Sequence, residues 1–234
     1  VADPSINDLA GILESAKRIL VITNCSKKKA VNMEEIKSKL AKLNLQTPSF
    51  DLDKEPVYRD VLQEFIKPAR DMYVGQTIKP VKELVKTLKS CGKYVDFYII
   101  SARYGVIGEN DLIIPYEAKL DASNKEKLKK WSEERKVVSK LQDIVAKGGY
   151  DLAIIILSRA YTLALGEFFE KTSIPHLIIV VAESVLKTLK LTTRAIQLPV
   201  KGRQHMKYTR IIQEAVSKIC QNKLDASEEY VNCH

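Results

Sequence analysis

Long apolar runs, clustered histidines and glycine-rich phosphate loops are all missing from this sequence, and each absence removes a class of function. No stretch nears the roughly 18–20 apolar residues of a membrane-spanning helix. The longest, Leu152 to Leu157 and Leu177 to Ala182, are strand-sized. Val1 to Leu13 lacks a basic start followed by an apolar core, so no secretory signal is expected. The histidines (His176, His205, His234) are scattered, and no two of Cys25, Cys91, Cys220 and Cys233 have C-x-x-C spacing. No metal site and no cofactor is therefore expected. Unevenly spaced thiols in a chain of this size read as reduced and the protein as cytoplasmic. There is no G-x-x-x-x-G-K-[ST] and no G-x-G-x-x-G, which argues against a Walker P-loop and a dinucleotide fingerprint. No internal repeat, low-complexity tract or linker is visible.

The chain does have 234 residues, 45% of them apolar. That is enough for a substantial core, read as one α/β domain over 1–234. Strands are expected at Arg18 to Thr23, Tyr94 to Ile100, Leu152 to Leu157 and within "PHLIIVVA", with "RAIQLPV" as a short edge strand limited by Pro199. Helical spacing runs over Asn32 to Leu43, with Asn32 as a cap, then over Val57 to Arg70 and Lys79 to Lys89. Further helices are expected at Lys125 to Ala146, Arg159 to Glu170 and Arg203 to Asn222. Trp131 falls on an apolar helix face and reads as packing. The alternation predicts a mostly parallel sheet of about 4–5 strands with helices on both faces. A helical segment of about 32–90 is inserted between the first and second strands.

In such a sheet, ligands bind beyond the carboxyl ends of the strands. Three strands end in polar groups: Asn24, Cys25, Ser26 and Lys27 to Lys29; Ser101, Arg103, Tyr104 and Gly105; Ser158, Arg159 and Tyr161. If the strands are parallel, all three groups share one rim. Hydroxyls, free N–H groups and cations suit a phosphate or an anionic transition state; the alternative for "SKKK" alone is a solvated loop. The neighbouring lysines favour a Cys25 thiolate nucleophile, although a cysteine ending a buried strand also suits packing. Asp111 is a candidate general acid or base, or stabiliser of a sugar cation; its alternative is a turn cap. Net charge is +9, which draws a protein to polyanions. Lys187 to Arg210 holds seven cations and no Asp or Glu, so Lys201, Arg203 and Lys207 are expected on nucleic-acid phosphates, with Lys27, Lys28 and Arg159.

"CSKKK", "ARDMYVGQ", "ISARYGVIGENDLIIPYEAKL", "LSRAYTLAL" and "KGRQHMKY" stand in the order of the signature segments of the YaaA-like proteins, which the chain resembles from about Arg18 to Arg210. The resemblance implies an α/β fold with a basic cleft. That family includes cytoplasmic DNA-binding proteins linked to oxidative stress, and similar CS-x-x-K modules look related to domains of archaeal tRNA base-modification enzymes such as archaeosine synthase. Cys25-Ser26 replaces the Ser-Pro start of the bacterial stress protein and is closer to the nucleobase-modifying branch. By position the resemblance carries over Ser26, Lys28, Tyr73, Gly75, Tyr104, Gly105, Asp111, Pro115, Tyr116, Ser158, Tyr161, Lys201 and Arg203. The expected function is a nucleic-acid-binding enzyme acting on a nucleobase or its N-glycosidic bond, with DNA a more natural partner than tRNA and no membrane partner. Cys25, Ser26 and Asp111 would carry the chemistry. Asn24, Tyr73, Gly75, Ser101, Tyr104, Gly105, Tyr116, Ser158 and Tyr161 would bind the base, with a tyrosine stacking on it. The alternatives are a non-catalytic DNA-binding stress-response protein, a tRNA base-modification enzyme and a small-molecule nucleotide enzyme.

Overall fold

The β-branched runs of the sequence form the centre of the molecule. The computed structural model describes residues 4–191, 193–201 and 205–232. In chain order the elements are α1 (Pro4–Ser15), β1 (Arg18–Asn24), α2 (Met33–Lys42), α3 (Glu55–Val61), β2 (Lys67–Pro68), α4 (Ala69–Met72), α5 (Ile78–Ser90), β3 (Tyr94–Ser101), β4 (Gly105–Gly108) and β5 (Leu112–Ile113). They continue with α6 (Lys125–Glu134), α7 (Val137–Gly148), β6 (Leu152–Ile156), α8 (Arg159–Ala164), α9 (Gly166–Lys171), β7 (His176–Ala182), α10 (Glu183–Leu186), β8 (Arg194–Val200) and α11 (His205–Asn232).

Six strands form one sheet in the order β4-β3-β1-β6-β7-β8. All are parallel except β4, which runs back along β3. β1, β6 and β7 are buried along most of their length, which is why they read as continuous apolar runs rather than alternating ones. The chain leaves β1 for β3 on one side, then returns past it to β6 on the other. The sheet therefore has its topological switch between β1 and β6, where open α/β sheets place a crevice. Right-handed crossovers put α5 on one face and α6–α9 on the other. α5 and α1 pack with α11, while α6 packs on α8 and α7 on α9. A satellite core of Ile36, Leu40, Tyr58, Leu62 and Ile114 sits under α2 and α3.

Several local expectations are corrected. The sixth strand, β4, lies inside a segment that reads as a loop because its two end residues are glycines. The helix expected over 57–70 ends at Val61 and gives way to a short 3-10 turn and β2. Pro68 lacks an N–H and pushes Lys67 out of helical conformation. The helix expected over 125–146 breaks at Lys136, which has φ 51°, and the one over 159–170 breaks at Leu165. Apolar periodicity continues through both breaks, so it cannot reveal them. Asn32 does cap α2, accepting from Glu34 N at 3.1 Å.

The reduced-thiol expectation is also overturned. Cys91, after α5, and Cys220, on α11, form a disulfide across 129 residues of sequence, with Cα atoms 5.5 Å apart. Packing of α11 on α5 brings them together, which spacing cannot show, and the ground for expecting a reducing compartment goes with it. In chain-entropy terms a crosslink closing so long a loop stabilises by about 4–5 kcal/mol. Cys25 is the free cysteine among the described residues. No described helix is long and apolar enough to cross a membrane.

Candidate functional site

The carboxyl ends of β1, β3 and β6 meet on one rim. Cys25 N donates to Ile100 O at 2.9 Å, extending the β1–β3 ladder by one residue. Asn24 Oδ1 accepts from Ser158 N at 2.8 Å and so ties the end of β1 to the start of α8 across the switch point. Thr23 Oγ1 donates to Ile156 O at 2.9 Å. Beyond β1 the loop is stitched to the segment after α4: Ala30 N donates to Met72 O and Val74 N to Lys28 O. Ser26 Oγ donates to Lys28 O at 2.8 Å and accepts from Gly75 N at 3.1 Å. A Cβ on Gly75 would lie 2.4 Å from Ser26 Cβ, so only glycine fits that approach. Ser26 and Gly75 thus have a structural role, closing the loop.

Closure of the loop turns Lys29 inward. It is only 7% exposed. Its Nζ donates to Ser26 O at 3.0 Å and Lys27 O at 3.2 Å. The same nitrogen lies 4.4 Å from the ring centre of Tyr116 and 5.4 Å from that of Tyr73. It forms no ion pair with a carboxylate among the described residues. Burial lowers its pKa, and the more distant charges of Cys25 and Glu117 only partly oppose this. Sequence reading missed this residue by grouping it with the solvated lysines and assigning the motif lysine to Lys28. The signal was available, because C-S-x-x-K spacing from Cys25 ends at Lys29.

Around Lys29 lies a buried polar cluster. The Tyr73 and Tyr116 hydroxyls are bonded at 2.8 Å, and Tyr116 OH is also 2.8 Å from Ser101 Oγ. Ser101 Oγ accepts from Tyr104 N at 3.1 Å. Cys25 Sγ and Tyr161 OH are 3.2 Å apart. Burial, reinforced by the neighbouring thiol, pushes the Tyr73 and Tyr161 phenols up; burial and then the Tyr73 charge do the same for Tyr116. All three are neutral proton donors at physiological pH. Trp131 packs edge-on against Tyr161 and donates Nε1–H to Ala102 O at 2.8 Å, so it is the structural residue its helical face predicted. The cluster combines an amine, a thiol, a serine hydroxyl and phenols.

Other candidates fall elsewhere or serve differently. Tyr73 and Tyr116 are fully buried and offer no free face to a stacked base. Tyr104 donates its hydroxyl to Glu55 Oε1 at 2.8 Å and packs edge-on against Tyr116. Arg103 is not a rim cation. It has no exposed surface and is held by Asp51, Glu55 and the Ser49 carbonyl. Gly105 takes φ 73° and abuts Arg135, whose Cβ would lie 2.9 Å from an added Cβ. Asp111 is exposed, and its Oδ2 accepts from Gly108 N at 2.8 Å. Because β4 runs back along β3, Gly108 sits opposite Tyr98 rather than Ser101. Asp111 therefore takes the turn-cap position and stands apart from the strand-end cluster.

Lys27, Lys28, Arg159, Lys201 and Lys207 are all exposed. His205 lies 3.1 Å from Leu157 O, which sets the start of α11 beside the end of β6. The segment that is free of acids in sequence gains them from elsewhere in the fold: Glu183 reaches both Lys201, at 3.6 Å, and Lys187, at 3.7 Å, and Asp8 reaches Arg194 at 3.3 Å. Arg203 lies outside the described residues. A separate groove of about 660 Å³, lined by residues including Lys129, Ser132, Gln142 and Glu167, opens between α6–α7 and α8–α9 and holds none of the candidate residues.

A family model matches residues 63–195, more than half of the chain. The chain belongs to DUF6884, a family of unknown function. No curated protein and no solved structure matches it. The DUF6884 match takes in Tyr73, Gly75, Ser101, Tyr104, Tyr116, Ser158 and Tyr161, while Cys25, Ser26 and Lys29 precede it.

Proposed function

We propose that this DUF6884 protein is an enzyme acting on a nucleobase or its N-glycosidic bond in nucleic acid, with DNA the favoured polymer. One observation carries the reading: a thiol, a buried amine with no carboxylate partner among the described residues and neutral phenols gather at the switch point of a mostly parallel sheet, with exposed cations nearby. Lys27, Lys28, Arg159 and Lys207 supply charge for phosphates, contacts that position a polymer without reading it. Asn24 and Ser158 bridge the ends of β1 and β6 at the switch point, where open α/β sheets bind their ligands. A neutral Tyr161 beside Cys25 is suited to give a proton to a departing base nitrogen. The YaaA-like motif order agrees with this assignment.

The enclosure of Tyr73 and Tyr116 favours a second reading, a non-catalytic nucleic-acid-binding protein, since base flippers usually present an aromatic face. The two readings part on one experiment. Oligonucleotides carrying a panel of modified bases are incubated with the protein and weighed by mass spectrometry. Released base or altered oligonucleotide mass is expected, and is expected to be lost in Tyr161→Phe and Cys25→Ser. Salt-sensitive binding with every mass unchanged would leave the binding protein as the correct description. Turnover of free nucleotides without affinity for duplex would point to a small-molecule enzyme.

A further inference from the structure

We infer that the Lys29 ε-amino group is a nucleophile that forms an imine with the C1′ carbon of a deoxyribose. The inference rests on the glycosidic-bond reading above and adds to it a named nucleophile and a covalent intermediate.

A buried lysine that serves only packing is normally neutralised by a carboxylate, since an unpaired buried charge is costly. Lys29 has carbonyl oxygens and aromatic rings instead. Carbonyls and ring faces stabilise an ammonium, but they bring no opposite charge, and burial moves the balance toward the free amine. A desolvated amine is how lysines become nucleophilic toward carbonyl carbon at neutral pH. Lys27 and Lys28, two and one residues earlier, are exposed. The fold spends a glycine contact at Gly75 and the Ser26 hydrogen bonds on turning only the third lysine inward.

The step balances without any redox partner. With an aldehydic sugar, the Nζ lone pair attacks C1′, the carbonyl oxygen gains a proton, and loss of water leaves C1′=Nζ. With an intact nucleotide, the C1′–N bond breaks as the base departs with its electron pair. Ring opening then breaks C1′–O4′, and the two amine hydrogens end on the base and on O4′. The Tyr73 and Tyr116 rings lie against the amine, and their hydroxyls, joined to each other and to Ser101, are the groups this step would use to carry those protons.

The test uses the full chain and an oligonucleotide with one abasic deoxyribose, single-stranded and duplex, in the presence of cyanoborohydride. Hydride reduces the imine to a stable secondary amine. The expected result is a protein–DNA adduct that survives denaturing electrophoresis and maps by peptide mass spectrometry to Lys29. Lys29→Arg, which keeps the positive charge, should abolish it. Mapping on the unaltered protein decides the matter even if that variant folds poorly. An adduct on Lys27 or Lys28, or none at all, overturns the inference. Because the probe has already lost its base, an adduct at Lys29 with no base released from any modified oligonucleotide would sink the glycosidic-bond reading and leave the nucleophile standing. Base release without an adduct would do the reverse.

Discussion

Lys29 differs from its neighbours in environment, not in chemistry, and that difference has a measurable sign. Its pKa in the fold lies below the ordinary 10.5, chiefly through burial. Between the lowered value and 10.5 the unfolded chain holds the proton that the folded chain has released. The Lys29 contribution to stability therefore rises with pH across that window. In Lys29→Met that contribution should be absent. Urea unfolding of both proteins at neutral pH and near the top of the window is the check, because titrations common to both cancel in the difference. Wild-type stability falling relative to the variant as pH rises would mean that the amine is not depressed. The nearby Gly75 is equally specific: its tolerance is set by one contact with Ser26, and that contact holds the loop that buries the lysine.

At the scale of elements, the long segment between β1 and β3 is held to the sheet by Arg103. The guanidinium follows β3 and reaches Asp51 at 2.8 Å and Glu55 at 2.8 Å, so it pins the loop before α3 while Tyr104 takes the other oxygen of Glu55. Burial pushes the Asp51 carboxyl up, but the Ser49 N–H, Arg103 and the Tyr58 hydroxyl outweigh it and hold it at about 2. Its contribution is fully present above the unfolded carboxylate pKa of about 4 and is lost as pH falls toward 2. Arg103→Met should destabilise by less than the ~3–5 kcal/mol of a fully buried pair, because Asp51 and Glu55 are only partly buried, and should shrink the loss of stability between pH 4 and 2. Denaturant titrations at neutral pH and along that acid limb measure both. An unchanged stability would show that the clamp is dispensable and that the satellite core under α2 and α3 holds the segment alone.

For the whole molecule, the net charge of +9 is less informative than where the charge is left unopposed. Lys201 shares Glu183 with Lys187, whereas Lys27 and Lys28 lie at the strand-end rim. Lys27→Ala with Lys28→Ala should make the dependence of log affinity on log salt shallower by up to ~2 for duplex DNA, about 0.9 per lost phosphate contact. Lys201→Ala should change it less. Fluorescence anisotropy over a salt series reads both slopes. Equal effects from the two surfaces would place the polymer across the whole basic side rather than over the β1–β6 crevice.

The sequence by itself determined the parallel part of the sheet. Continuous β-branched runs such as "DLAIIIL" have no polar face to show to water, so they must be covered on both sides, and their alternation with amphipathic stretches makes the strands parallel and their ends coincide. Asn24, Ser101 and Ser158 were legible as neighbours for that reason. The tertiary structure alone decided what each side chain does there. Arg103 and Lys29 are cations in sequence like any other. One becomes a buried clamp because Asp51 and Glu55 fold over it, and the other a buried amine held by carbonyls rather than a carboxylate because Gly75 lets its loop close. The joining of Cys91 to Cys220 and the masking of Lys201 by Glu183 depend likewise on residues distant in the chain. Local pattern records which residues avoid water; it does not record which distant group will lie beside them, and electrostatics and reactivity depend on that group.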